Sequence, residues 1–128
     1  AVVSAPDGIY VIGGEVFGAS QGSAPEAYAA ADVLRLSWNA ATAKVEVAEN
    51  ALPPLPKPSK YHAAALAEGT IYVAASHAAS PQSERLDASS FWRLKLGSGA
   101  SWEELPPWPG AAREQMTLVA QRTGAADG

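Results

Sequence analysis

The segment LPPLPKPSKYHAAALA (52–67) returns in altered form as LPPWPGAAREQMTLVA (105–120), and this duplication constrains the fold more than any other feature of the chain. Two further segments recur with it. GIYVIGG (8–14) aligns with TIYVAAS (70–76) through Tyr10 and Tyr72, and DVLRLSW (32–38) aligns with SFWRLKL (90–96) through Arg35 and Arg93. The separation falls from 62 residues between the tyrosines to 58 between the arginines and 53 between Leu52 and Leu105. Length therefore varies in the connections while the apolar segments stay colinear, as repeated supersecondary units do.

Each repeat is built of short runs such as IYVIGG, VLRLSW and KVEVAEN, in which β-branched and aromatic residues stand between Gly, Pro and Ser breaks. Two Ala-rich stretches, APEAYAAADVLRL (24–36) and YHAAALAEG (61–69), compete as helix by propensity alone. The repeat decides against helix for the second, whose counterpart is EQMTLVAQRTG and whose small residues lead into EGTIYV as strand, turn at Glu68-Gly69, and strand. The parse gives a partial strand at 1–5, then strands at 8–14, 32–38, 44–49, 61–67, 70–76, 90–96, 101–104 and 114–121. Four antiparallel strands in a unit of about 40 to 60 residues is the signature of a β-propeller blade, so the expected fold is all-β. The blades divide at about 1–52 and 53–105, and 106–128 carries the inner strand of a next blade. Proline suits the crossing from an outer strand to the following inner one, because it fixes φ and donates no ladder hydrogen bond.

Composition narrows the function. At 128 residues, 48 % hydrophobic and 17 % charged, the chain is long enough for one folded domain or part of one. A net charge of -4 leaves no basic stripe for a phosphate backbone, and no run is long and apolar enough for a membrane span, so neither nucleic acid nor membrane is an expected partner. Without cysteine there is no disulfide framework and no thiolate metal cage, and the two histidines, His62 and His77, are too few for a zinc site with three protein ligands unless carboxylates join them. No metal or other cofactor is expected. The start, AVVSAPDGIYVIGG, has neither initiator Met nor signal-peptide pattern and reads as the interior of a longer protein. The Gly/Ser stretches at 18–25 and 97–101 lack the lysine and following helix of a phosphate loop and read as turns.

A strand ending in Gly13-Gly14, a strand bearing Trp or Tyr, and then Trp and a Leu-Pro run together resemble the Kelch motif. Within the Kelch propellers, SWEELPPWPGAAREQ (101–115) resembles the blade junction of the N-acetylneuraminate epimerases, or sialic acid mutarotases, with Trp102, Pro109, Gly110, Arg113 and Gln115 filling its pattern. Gly14-Glu15 precedes Leu52 to Pro56, an order similar to the circularly permuted branch of that family. The resemblance implies about two blades of an expected six. It also implies a parent isomerase that interconverts sugar anomers, a sialic acid-like small-molecule partner, remaining blades of the same propeller as packing partners, and a periplasmic or secreted setting. The chain alone is expected to be inactive.

Propeller chemistry gathers at one mouth of the channel, just after the Gly-Gly strands and just before the inner strands. Glu15 resembles the family's catalytic carboxylate, although the arginine expected six residues on is replaced by Gln21; by blade order the same Gly-Glu matches a non-catalytic Gly-Glu of the family, which implies that the catalytic pair lies on a blade outside this chain. Arg113, Glu114 and Gln115 precede one inner strand, and Lys60, Tyr61 and His62 hold the matching place in the other repeat. Arg113, Glu114, Gln115, Lys60 and His62 are therefore the candidate substrate-binding residues. An arginine there can grip a carboxylate with both arms, or instead form an ion pair with Glu114 or Glu104. Trp92, Trp102 and Trp108 serve either as core between blades or as stacking platforms for a sugar. Ala75-Ser76 replaces Gly-Gly in the second repeat and requires a differently built turn there. Two other roles fit the same residues: a non-catalytic Kelch module that binds a protein or glycan, and a ring closed from three copies of the chain.

Overall fold

The computed structural model describes residues 1–18, 27–77 and 88–121, and these contain eight strands and no helix. Strands β1 (Val2–Ala5), β2 (Gly8–Phe17), β3 (Ala27–Asn39) and β4 (Lys44–Ala48) form one antiparallel sheet in chain order. Strands β5 (Ala63–Ala67), β6 (Thr70–His77), β7 (Ala88–Lys95) and β8 (Glu103–Leu105) form a second sheet of the same order. The chain is thus all-β, a pair of four-stranded meanders of blade-like form.

The repeat seen in the sequence is a repeat of register. Tyr10 lies directly opposite Arg35 across β2 and β3, and Tyr72 lies directly opposite Arg93 across β6 and β7. In the first sheet the Tyr10 hydroxyl and the Arg35 guanidinium both donate to Asp7 Oδ2, at 2.8 and 3.1 Å. In the second sheet Arg93 instead grips Glu103 on β8 with two hydrogen bonds of 2.8 and 3.0 Å. The turn between β5 and β6 places Glu68 at φ 48° and Gly69 at φ 71°, the paired positive φ values whose twist matches a two-residue hairpin.

One core serves both sheets. Opposed residues on neighbouring strands share a face. One face of the first sheet therefore presents Val3, Tyr10, Ile12 and Val33, and one face of the second presents Ile71, Val73, Ala75 and Trp92. These residues pack as a single buried cluster together with Leu55. Ala-rich β5 lies beside β1, where small side chains let the two inner strands approach.

The proline-rich segment completes the first sheet. A β-bulge shifts the register between Ile12 and Gly14, and β4 runs out opposite Arg35, so the carbonyls of Ala30, Ala31 and Val33 lack a strand partner. The N–H groups of Ser59, Leu55 and Ala51 fill them at 3.0, 2.7 and 3.0 Å. Pro53, Pro54, Pro56 and Pro58 occupy intervening positions where no N–H is required. Trp102 of the second sheet locks the segment by donating Nε1–H to the Pro53 carbonyl at 2.8 Å.

Gly13 sits where this packing is tightest, with φ 49°. A Cβ there would lie 2.9 Å from the Ala30 carbonyl oxygen and 3.1 Å from both Leu55 Cδ1 and the Ser59 carbonyl oxygen. Gly13→Ala should therefore lower stability by about 1–3 kcal/mol in urea unfolding. Gly99→Ala, at φ 71° but facing open space, should lose only the smaller conformational share of about 1 kcal/mol.

Three expectations are corrected. Residues 114–121 form no strand, because no strand among the described residues lies beside them to satisfy their backbone. The inner strand expected from Tyr61 begins at Ala63, since Tyr61 adopts φ 58° and cannot extend the ladder. The strand expected at 32–38 starts at Ala27, recruited by the extension of β2 to Phe17. At Ala75-Ser76 the strand runs on to His77 without a bulge. The loop expected at 18–25, apart from Gly18, and the end of the 106–128 segment beyond Gln121 lie outside the described residues.

Candidate functional site

Glu15 follows the Gly13-Gly14 bulge at the point where β2 leaves β1 behind and continues paired with β3 alone. Its carboxylate accepts a hydrogen bond from Lys60 Nζ at 2.8 Å through Oε1 and from the Tyr61 hydroxyl at 3.0 Å through Oε2. Lys60 also lies over the Tyr61 ring, 5.3 Å from its centroid. The backbone explains why the corner closes: Gly14 N–H donates to the Ser59 carbonyl at 3.0 Å, which holds the start of the Lys60-Tyr61 step against β2.

Tyr61 and Gln115, one position out of step when the repeats are aligned through Leu52 and Leu105, are both non-glycine residues in the left-handed region, at φ 58° and 51°. Gln115 N–H donates to the Tyr61 carbonyl at 3.2 Å, so the two strained steps meet. Glu114 is near enough to help hold Lys60 protonated. Backbone strain of this kind persists only where the surroundings enforce it, which here is the contact between the Tyr61 and Gln115 segments.

The electrostatics of the corner fix its protonation. Hydrogen bonds from Lys60 and then Tyr61 hold Glu15 below the usual carboxylate range. The hydrogen bond to Glu15 raises Lys60, and the same partner raises the Tyr61 phenol. Near neutral pH the cluster is a carboxylate, an ammonium and a neutral phenol, all exchanging hydrogen bonds at a half-open surface.

His62 is placed differently. It is buried, and its Nε2 lies 2.8 Å from the Ile12 carbonyl oxygen. That oxygen can only accept, so the proton is on Nε2 and Nδ1 is a buried lone pair without a partner. Burial lowers its pKa to about 4. His62 thus anchors β5 to β2 from behind the Glu15 corner as a neutral imidazole.

Arg113 is not at this corner by its side chain. It is exposed, and no ion pair joins it to Glu114 or Glu104 among the described residues, which corrects that alternative. Its backbone N–H donates to Ser76 Oγ at 2.9 Å, and its side chain lines a cleft of about 300 Å³ with Trp108, Met116, Phe91 and Ala74. Ser76 thus takes over the anchoring that Gly14 performs in the first repeat. Of the tryptophans, Trp92 is fully buried core, Trp102 packs at its rim, and Trp108 covers the cleft.

Glu15, Lys60, Glu114 and Gln115 therefore meet, His62 backs them, and Arg113 diverges. The residue that sequence reasoning left out of the site is Tyr61, although its place beside Lys60 at the matching repeat position was the available signal. At the opposite end of the second sheet a groove of about 650 Å³ runs along Lys95 and the loop Gly97–Ser101, with Arg93 already bound to Glu103. No group of three or more His, Asp or Glu able to hold a metal occurs among the described residues. No helix there is long and apolar enough to cross a membrane. No protein-family model matches the chain, and no curated protein matches it.

Proposed function

We propose that the two sheets are Kelch-type propeller blades of a sialic acid mutarotase-like isomerase, of the circularly permuted branch, and that the Glu15 corner is channel wall that contacts the sugar. The observation that carries this reading is the meeting of Glu15, Lys60, Tyr61 and Gln115 at one end of both sheets. An ammonium beside a phenol and a carboxylate offers partners to the carboxylate and the hydroxyls of an acidic sugar. Anomer exchange opens the ring by taking the proton of the anomeric hydroxyl and returning one to the ring oxygen, and both groups work best with pKa values near the working pH. Glu15 is held low and Lys60 high, so these residues bind and orient, and the proton-transferring pair belongs to other blades. The chain alone is then inactive.

The same directions, with Gln21 in place of arginine, favour a second reading: a non-catalytic Kelch module that binds a protein or glycan. An NMR titration of the chain with millimolar N-acetylneuraminic acid separates the two. Under the first reading, amide shifts cluster at Gly14, Glu15, Lys60, Tyr61 and Gln115, Lys60→Ala abolishes them, and the anomerisation rate stays that of buffer. Absence of any shift removes the sugar reading. Acceleration of anomer exchange by the chain itself would move the chemistry onto these residues.

A further inference from the structure

The corner of Glu15, Lys60 and Tyr61 shows how this surface holds a carboxylate, because it holds the chain's own. Lys60 Nζ donates to Glu15 Oε1 at 2.8 Å and the Tyr61 hydroxyl donates to Oε2 at 3.0 Å, so each oxygen has its own donor. A pair of donors, one of them charged, set against the two oxygens of one carboxylate is how proteins grip an acidic ligand. The donors are positioned by backbone: the Ser59 carbonyl accepts from Gly14 N–H, and Tyr61 is held at φ 58° with its carbonyl accepting from Gln115 N–H. The acceptor is held less firmly. The Glu15 backbone is fixed in β2 opposite Ala29, but only side-chain torsions keep its carboxylate on the donors, and the Glu15 and Lys60 side chains retain 21 and 42 % exposure.

A ligand carboxylate held in this way has to replace Glu15 rather than join it. The Tyr61 hydroxyl has one proton and serves one acceptor at a time. Charge leads to the same result, since Glu114 also lies close enough to act on both Lys60 and Tyr61. Glu15, Glu114 and Lys60 together carry one excess negative charge; a joining carboxylate would double that excess, whereas one that displaces Glu15 leaves it unchanged. The internal carboxylate is tethered, so its effective concentration at Lys60 far exceeds that of a free acid. A displacing ligand must therefore bring further contacts of its own, and small simple acids are refused.

We infer, on the sugar-binding reading of this corner, that Glu15 is a built-in competitor: it occupies the place of the ligand's carboxylate on Lys60 and Tyr61, and it turns out to solvent when an acidic sugar binds. Lys60 and Tyr61 carry the affinity for the carboxylate. Glu15 carries the selectivity, admitting a carboxylate only when the rest of the ligand adds hydrogen bonds along the channel wall.

NMR titrations with N-acetylneuraminic acid and with its methyl ester, on the chain and on Glu15→Gln, test this. Glu15→Gln keeps the shape of the side chain and removes its charge, so Lys60 is released. The acid should bind this variant about three- to tenfold more tightly than it binds the parent, the order of one surface ion pair with charge-assisted hydrogen bonds. The methyl ester should show no such gain, and adding Lys60→Ala to Glu15→Gln should abolish it. Glu15→Ala, which removes the competitor outright, should gain as Glu15→Gln does, and the dispersion of the amide spectrum shows that each variant is folded. Equal or weaker binding of the acid by both Glu15 variants, with the parent still binding, overturns the inference and leaves the sugar reading standing, because Glu15 is then a direct contact. An equal gain for the ester also overturns it, since something other than the carboxylate is then filling the vacated place. Absence of shifts in the parent and in the variants alike overturns the inference together with the sugar reading.

Discussion

Replacing Trp92 by alanine will cost about 3–5 kcal/mol, the range for removing a large aromatic from a core that cannot collapse around the gap. The ring is 0 % exposed and stands in the middle of the single cluster that joins the two sheets, flanked by Val73 across the ladder and by Ile12 and Leu55 in that cluster. A domain of this size has a total stability of about 5–15 kcal/mol, so the variant should be largely unfolded well below the transition of the parent. Thermal denaturation followed by near-ultraviolet circular dichroism measures it. Trp92→Phe, which keeps most of the apolar contact, should retain the fold with a clearly smaller loss. Equal stability of Trp92→Ala and the parent would mean that the sheets do not share a core.

The second large effect is a loss of stability on mild acidification through His62. Its pKa is lowered from 6.5 to about 4, chiefly by burial. The unfolded chain therefore takes up a proton near pH 6.5 that the folded chain refuses until about pH 4, and protons favour the unfolded state across that window. The contribution is fully present above pH 6.5, falls as the pH drops, and levels off below pH 4 after a loss of about 3 kcal/mol. Asp7 and Glu15, whose pKa values are lowered by Tyr10 and Lys60 respectively, add losses only at lower pH, below the unfolded carboxylate values. Urea unfolding at pH 7, 5.5 and 4.5 should show the decline, and His62→Gln should flatten it. A decline of the same size in His62→Gln would place the proton uptake elsewhere.

Much of the fold was legible because the punctuation is strong. Glu68-Gly69 marks a hairpin turn, and laying Tyr10 on Tyr72 and Arg35 on Arg93 aligned residues that are cross-strand partners in both sheets. The start of β3 was less legible, since AYAAAD carries no alternation and is strand only because β2 runs on beside it. Residues 114–121 have strand-like composition, but composition supplies no partner for the backbone. Within the site, Glu15 and Lys60 could be singled out by repeat position. That they bind one another depends on Tyr61 turning into the left-handed region, a choice that the residue type itself disfavours and only the packed backbone enforces. Arg113 fits a pattern of residue types equally well, yet the hydrogen bond of its own N–H to Ser76 aims its side chain into another cleft.

The bridging segment belongs to two accounts at once. By covalent order, residues 51–60 lead into the second sheet; by hydrogen bonding they finish the first, through the N–H groups of Ala51, Leu55 and Ser59, with Leu55 sealed into the shared core. The unit that is written twice and the unit that closes its own edge are therefore out of phase by one connection. A truncation that ends at Ala48 removes the donors its own sheet requires, so the smallest autonomous piece of this chain is larger than one sheet. Modularity here resides in the overlap between neighbours, like courses of brick whose vertical joints never line up.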